Sequence, residues 1–223
     1  MVVQKWDIQG SKTQIKFYNL KIDGNTSYAF RLGGNEATVG TIESFEFVSC
    51  NISNLSSGGV ICMRDAGASA AHIGNIVFDD CNIKDIGNYS LVHSEGSAST
   101  SQVDNISMSN TTASGFTRCI IRLDQSATVN VKIDHCTFYD SAKDITSTSS
   151  YWLRLSNSAT PSVSVTNTLF GKCEMTTSQV VWPYSLKMYS IPMTAPELQE
   201  HGLPQPVPTR TDCSRIREAV TLL

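Results

Sequence analysis

The sequence predicts an all-β chain wound as a parallel β-helix of about six coils over residues 1–183, with a non-repetitive tail over 184–223 that ends in a short helix. Three observations carry this. A strand-like phrase of alternating apolar residues recurs at 15–22, 45–52, 76–83, 106–113, 131–138 and 163–170. That stretch shows no helical period. Proline is absent from the first 160 residues and then crowds the end, at Pro183, Pro192, Pro196, Pro204, Pro206 and Pro208.

The copies align when Leu20, Cys50, Cys81, Thr111, Cys136 and Thr168 are equivalent, which gives steps of 30, 31, 30, 25 and 32 residues. About a dozen residues after each reference point comes a second alternating stretch: 30–32, 61–63, 91–93 and 121–123. The copy at 153–155 arrives late, and 180–182 closes the series. Units of this length cannot bury an apolar face alone, so they must stack strand on equivalent strand, at about 4.8 Å per coil. A propeller is the runner-up, but its blades need longer repeats and hairpin turns. The Cys/Thr column fills a corner of a narrow core, so the thiols read as reduced packing residues, with a Cys50–Cys81 disulfide left open. Six Asn-x-Ser/Thr sequences, at Asn25, Asn51, Asn54, Asn88, Asn105 and Asn110, fit turn chemistry in so amide-rich a chain.

Beyond Pro183 the repeat is lost, and residues 204–208 favour an extended path. Residues 211–223 read as a short amphipathic helix with Ile216, Ala219, Val220 and Leu223 on one face. It either plugs an open end of the β-helix or is a cloning or reading-frame scar.

Composition excludes several function classes. The net charge is −3 and only 17% of residues are charged, whereas Ser, Thr and Asn number 29, 21 and 13. Polarity therefore comes from hydroxyls and amides, and no general positive field exists for nucleic acid. No apolar run approaches the roughly 20 residues of a membrane span, and the first residues lack a signal-peptide core. Nucleotide-binding loops, the Gly-x-Ser-x-Gly elbow and zinc motifs are missing from the sequence, so no nucleotide cofactor is expected.

The phrases at 75–83 and 105–110 resemble the right-handed parallel β-helices of the pectate-lyase-like superfamily, notably its secreted bacterial polysaccharide-processing members. The resemblance covers roughly residues 10–183. It implies a right-handed coil and a secreted or cell-surface location. Lyases of that superfamily pair acidic calcium ligands with a basic residue that removes the proton beside a uronate carboxylate. Its hydrolases carry close aspartates with a Gly-His-Gly segment. Asp79-Asp80 resembles the aspartate pair, but Gly-His-Gly does not occur here, so a lyase is favoured over a hydrolase.

Candidate site residues come from the second stretch of each repeat. Arg31, Arg122 and Arg154 occupy equivalent positions, while other coils hold apolar residues there, flanked by Arg64 and His93. Acidic or amide residues follow: Asp65, Glu95, Asp124 and Asn157. On one outer face, such guanidinium forks would pair with successive carboxylates of an acidic glycan. Arg122, Arg154 and His93 are the catalytic candidates. Arg31, Arg64, Tyr151 and Trp152 are the substrate-binding candidates, the two aromatics by stacking on sugar rings. Asp65, Glu95 and Asp124 supply hard oxygen ligands that would suit calcium. The competing interpretation is that these are ordinary strand-end charges paired on the surface. His135 and His72 form no catalytic motif, and Lys84 and Lys132, the obvious bases, lie on the other strand.

The leading function is recognition of an acidic polysaccharide or oligosaccharide, with β-elimination as its enzymatic form; whether the chain is an enzyme stays open. Against it stand a non-catalytic binding or surface-scaffold module and an inactive fragment of a longer protein. Open β-helix ends would also let copies associate.

Overall fold

The computed structural model describes residues 6–8, 12–25, 28–32, 40–55, 59–64, 71–87, 90–95, 101–125, 127–141, 153–156 and 161–171. These residues form strands and no helix. In chain order the strands are β1 (Trp6–Ile8), β2 (Lys12–Tyr18), β3 (Lys21–Asn25), β4 (Phe30–Leu32), β5 (Thr41–Val48), β6 (Asn51–Leu55), β7 (Ile61–Arg64), β8 (His72–Asp79) and β9 (Asn82–Ile86). They continue as β10 (Val92–Glu95), β11 (Gln102–Ser109), β12 (Thr112–Ser114), β13 (Ile121–Asp124), β14 (Asn130–Asp134), β15 (Thr137–Tyr139), β16 (Leu153–Ser156), β17 (Ser162–Thr166) and β18 (Leu169–Gly171). Every third strand joins the same sheet, giving three six-stranded sheets, β1-β4-β7-β10-β13-β16, β2-β5-β8-β11-β14-β17 and β3-β6-β9-β12-β15-β18. All pairings are parallel, and the chain is a β-solenoid. The tail and its helix lie outside the described residues.

Inward columns explain the alternation. On the second sheet Phe17, Phe47 and Phe78 are register partners whose rings stack at 5.4 Å and 5.0 Å. On the third sheet Ile22, Ile52, Ile83, Ala113, Phe138 and Phe170 share a column. Here Phe138 and Phe170 stack at 5.2 Å. Like side chains thus stack along the axis, phenylalanine on phenylalanine and isoleucine on isoleucine, to fill one narrow core.

The corner between the second and third sheets is a column of left-handed residues: Asn19, Ser49, Asp80, Asn110, His135 and Asn167, with φ of 47° to 53°. Asn and Asp tolerate that conformation best, because a short polar side chain bonds locally. The residue after each is Leu20, Cys50, Cys81, Thr111, Cys136 or Thr168, the reference column of the repeat. Its chemistry has a reason beyond size. The Thr111 and Thr168 hydroxyls donate to the carbonyls of Ser109 and Thr166 at 2.8 Å and 2.7 Å. The Cys50, Cys81 and Cys136 thiols donate to Val48, Asp79 and Asp134 at 3.3–3.4 Å. Cys and Thr interchange because each is small and carries a donor for the strand-end carbonyl. Cys50 and Cys81 are free and buried, so no disulfide joins them. Burial pushes the Cys81 thiol up to about 11, which leaves it unreactive.

A carboxylate staples neighbouring turns at three places. Asp79 Oδ1 accepts from Ser109 and Asn110, Asp134 Oδ1 from Thr166 and Asn167, and Asp23 Oδ1 from Ser53 and Asn54. The first two lie at the left-handed corner. These bonds hold the Asp134 carboxyl at about 2. Asp80 accepts from Ser49 at 2.8 Å. The Asp79-Asp80 pair is therefore part of this corner architecture. On the second sheet Asn130 donates to Asn105, and Asn105 to Asn75, as an amide ladder. Asn54, Asn105 and Asn110 thus hold structural bonds with their amide nitrogens. His72 begins β8 and bonds Asp104 at 2.9 Å.

Candidate functional site

The first sheet holds the arginine column, with a one-residue correction to the expected alignment. Phe30, Ile61, Val92, Ile121 and Leu153 are register partners, so residues 92–94, not 91–93, match 121–123. The next column is therefore Arg31, Cys62, His93, Arg122 and Arg154. His93 stands within the arginine column, not beside it. The reason is that Leu91 precedes the strand and is itself buried, so the apolar run 91–92 fits two registers.

Strand alternation turns this column away from the phenylalanine core. Cys62 and His93 are nevertheless fully buried, so this stretch of the outer face is covered. The column opens toward Arg122 and Arg154, whose side chains are 23% and 31% exposed. Asp124, on the same strand two residues after Arg122, lies between them. It accepts from Arg122 Nη2 and Nε at 3.0 Å and 3.2 Å, and its other oxygen lies 3.5 Å from Arg154 Nε. Two guanidiniums thus share the Asp124 carboxylate.

Two neighbours fix this cluster. The Asp124 backbone N–H donates to Ser94 Oγ at 2.7 Å, ending the β10–β13 ladder. Gln125, fully buried, then accepts from the Val103 N–H at 2.9 Å and donates to the Val103 carbonyl at 3.0 Å. Its amide replaces the strand that the 25-residue step is too short to supply, since β14 has five residues where β11 has eight. Sequence reading missed Gln125. The signal was present as a polar residue inside the shortest step of the repeat, between Thr111 and Cys136.

His93 lies with its ring 6.5 Å from that of Tyr28. Burial, and then the positive Arg122 and Arg154, push its imidazole down to about 3, with Asp124 opposing only in part. It is neutral at ordinary pH and has no surface with which to touch a polymer. The sign for stability follows directly. The unfolded imidazole takes up a proton below about 6.5, whereas the folded one does not until about 3. Stability from this group is complete above 6.5 and falls with pH through that window. By pH 5 the loss is about 2 kcal/mol. Thermal melts of the wild type should therefore drop between pH 6.5 and 5, before carboxylates titrate, and His93→Leu should flatten that slope. Equal slopes would sink this account.

Among the other expected site residues, Arg31, Arg64 and Glu95 are placed by strand register alone, with Arg64 opposite Glu95. Asp65, Tyr151 and Trp152 lie outside the described residues. Among the described residues no group of three or more His, Cys, Asp or Glu is arranged to hold a metal ion. Asp124, with both oxygens facing guanidiniums, does not fit a calcium ion, which would sit against two positive charges. No helix among the described residues is long and apolar enough to cross a membrane.

No family model, curated protein or solved structure matches the chain.

Proposed function

We propose that the chain is a right-handed β-helix of about six coils that binds an acidic polysaccharide on the outer face of its first sheet without cleaving it. One observation carries the reading: Arg122 and Arg154 are register partners, both partly exposed, with the Asp124 carboxylate between them. Strand spacing of about 4.8 Å sets these two cationic side chains on neighbouring strands, a pair suited to a carboxylate of the polymer. Cleavage by β-elimination needs an accessible base beside the arginines. His93 is too buried and too weakly basic to be one, which favours the binding module over the lyase.

The test is titration calorimetry with polygalacturonate, alginate and a neutral glucan, at low and high salt. Binding of the acidic polymers alone, weakened by salt and reduced about tenfold in Arg154→Gln, is expected. Equal binding of the neutral glucan, or unchanged affinity in Arg154→Gln, would overturn the reading. Absorbance of unsaturated uronate in the same mixtures, with and without calcium, reads the lyase alternative.

A further inference from the structure

The third sheet turns a second column outward: Ser53, Lys84, Ser114, Tyr139 and Gly171, each the register partner of the next. Tyr139 is 52% exposed, an aromatic ring on an outer face that also carries Lys21, Asp23, Lys84 and the 41% exposed Leu169. A Cβ on Gly171 would come within 3.0 Å of Tyr139 Cδ2 and 3.6 Å of Cε2. The ring therefore leans across the next strand, over the one position in the column without a side chain. Toward the other end, Lys84 is exposed and makes no ion pair or hydrogen bond among the described residues. Two strand steps separate it from Tyr139, about 10 Å. Ser114 and the exposed Thr112 lie between or beside them, small and able to bond hydroxyls.

We propose that Tyr139 and Lys84 form a subsite for a short run of an acidic, pyranose-based oligosaccharide. The tyrosine ring lies under the C–H face of one sugar, and the ammonium meets the carboxylate of a neighbouring unit. Charge complementarity selects this occupant, because the free cation would be left unmatched by an apolar peptide or a neutral glycan. The proposal rests on the polysaccharide-binding reading but uses a different sheet from Arg122 and Arg154, so the two can be separated.

The probes are a short oligogalacturonate and a cello-oligosaccharide of the same length, titrated into the intact chain. Tyr139→Ala should weaken oligogalacturonate binding about tenfold, whereas Tyr139→Phe should stay within about twofold. Lys84→Gln should weaken the acidic ligand and leave the neutral one unchanged. Both side chains are exposed, and an unaltered β-sheet spectrum checks folding. Wild-type affinity in both Tyr139→Ala and Lys84→Gln overturns the subsite. If Arg154→Gln then loses affinity, the first-sheet reading stands alone. Loss in the Tyr139 and Lys84 variants with Arg154→Gln unaffected upholds this subsite and overturns the arginine site. Failure of the wild type to bind either oligomer overturns both.

Discussion

Phe47→Ala is expected to lower the unfolding free energy by about 3–5 kcal/mol, as for other buried aromatic truncations. Phe47 is fully buried and touches rings on every side. Its neighbours in register, Phe17 and Phe78, lie at 5.4 Å and 5.0 Å, and Phe30 and Phe45 at 5.4 Å and 5.3 Å. The backbone around it is held by ladder bonds on both sides, so the void cannot close by moving a strand. Phe47→Leu keeps most of the volume and should cost much less. Urea unfolding followed by far-ultraviolet circular dichroism measures both. A loss below about 1 kcal/mol for Phe47→Ala would show that the core collapses around the missing ring.

The second large effect concerns Asp124 and has opposite signs in two assays. Removing its carboxylate leaves Arg122 and Arg154 facing each other across a site where that carboxylate was only 9% exposed. Breaking a buried ion pair costs about 3–5 kcal/mol, and the partial exposure of both guanidiniums lowers this to about 2–3 kcal/mol. Asp124→Ala should therefore be destabilised in denaturant. The same variant takes one carboxylate away from two guanidiniums, and its affinity for polygalacturonate should rise several-fold at low salt. Loss of stability with unchanged or weaker binding would mean that the arginines serve the fold and not a ligand.

How much could be read beforehand differs between levels of structure. The repeat and the parallel stacking were legible because a corner column must hold small donors, and Cys50, Cys81, Thr111 and Cys136 advertise it at nearly constant spacing. Strand positions on the second and third sheets followed from that anchor. The first sheet did not follow so closely, because its strands are three or four residues long and too short for alternation to fix a register. The one-residue slip at His93 is the result, and it matters for the site, since it moves an imidazole into the arginine column. The Asp124 clamp was invisible for a different reason. Arg122 and Asp124 were seen as neighbours, but the sharing of that carboxylate with Arg154 depends on stacking across 30 residues of sequence.

The staples formed by Asp23, Asp79 and Asp134 have a mechanical consequence. Each joins residues 30 to 33 positions apart, and almost every ladder bond spans a similar interval. Tension applied at the two ends of such a chain loads one terminal turn at a time, while the turns behind it keep all their bonds. Yielding would release contour length in steps of about 100 Å, the extended length of roughly 30 residues. The molecule is then a ratcheted spool whose stiffness is set by its weakest turn, and that turn can give way while the rest stays wound.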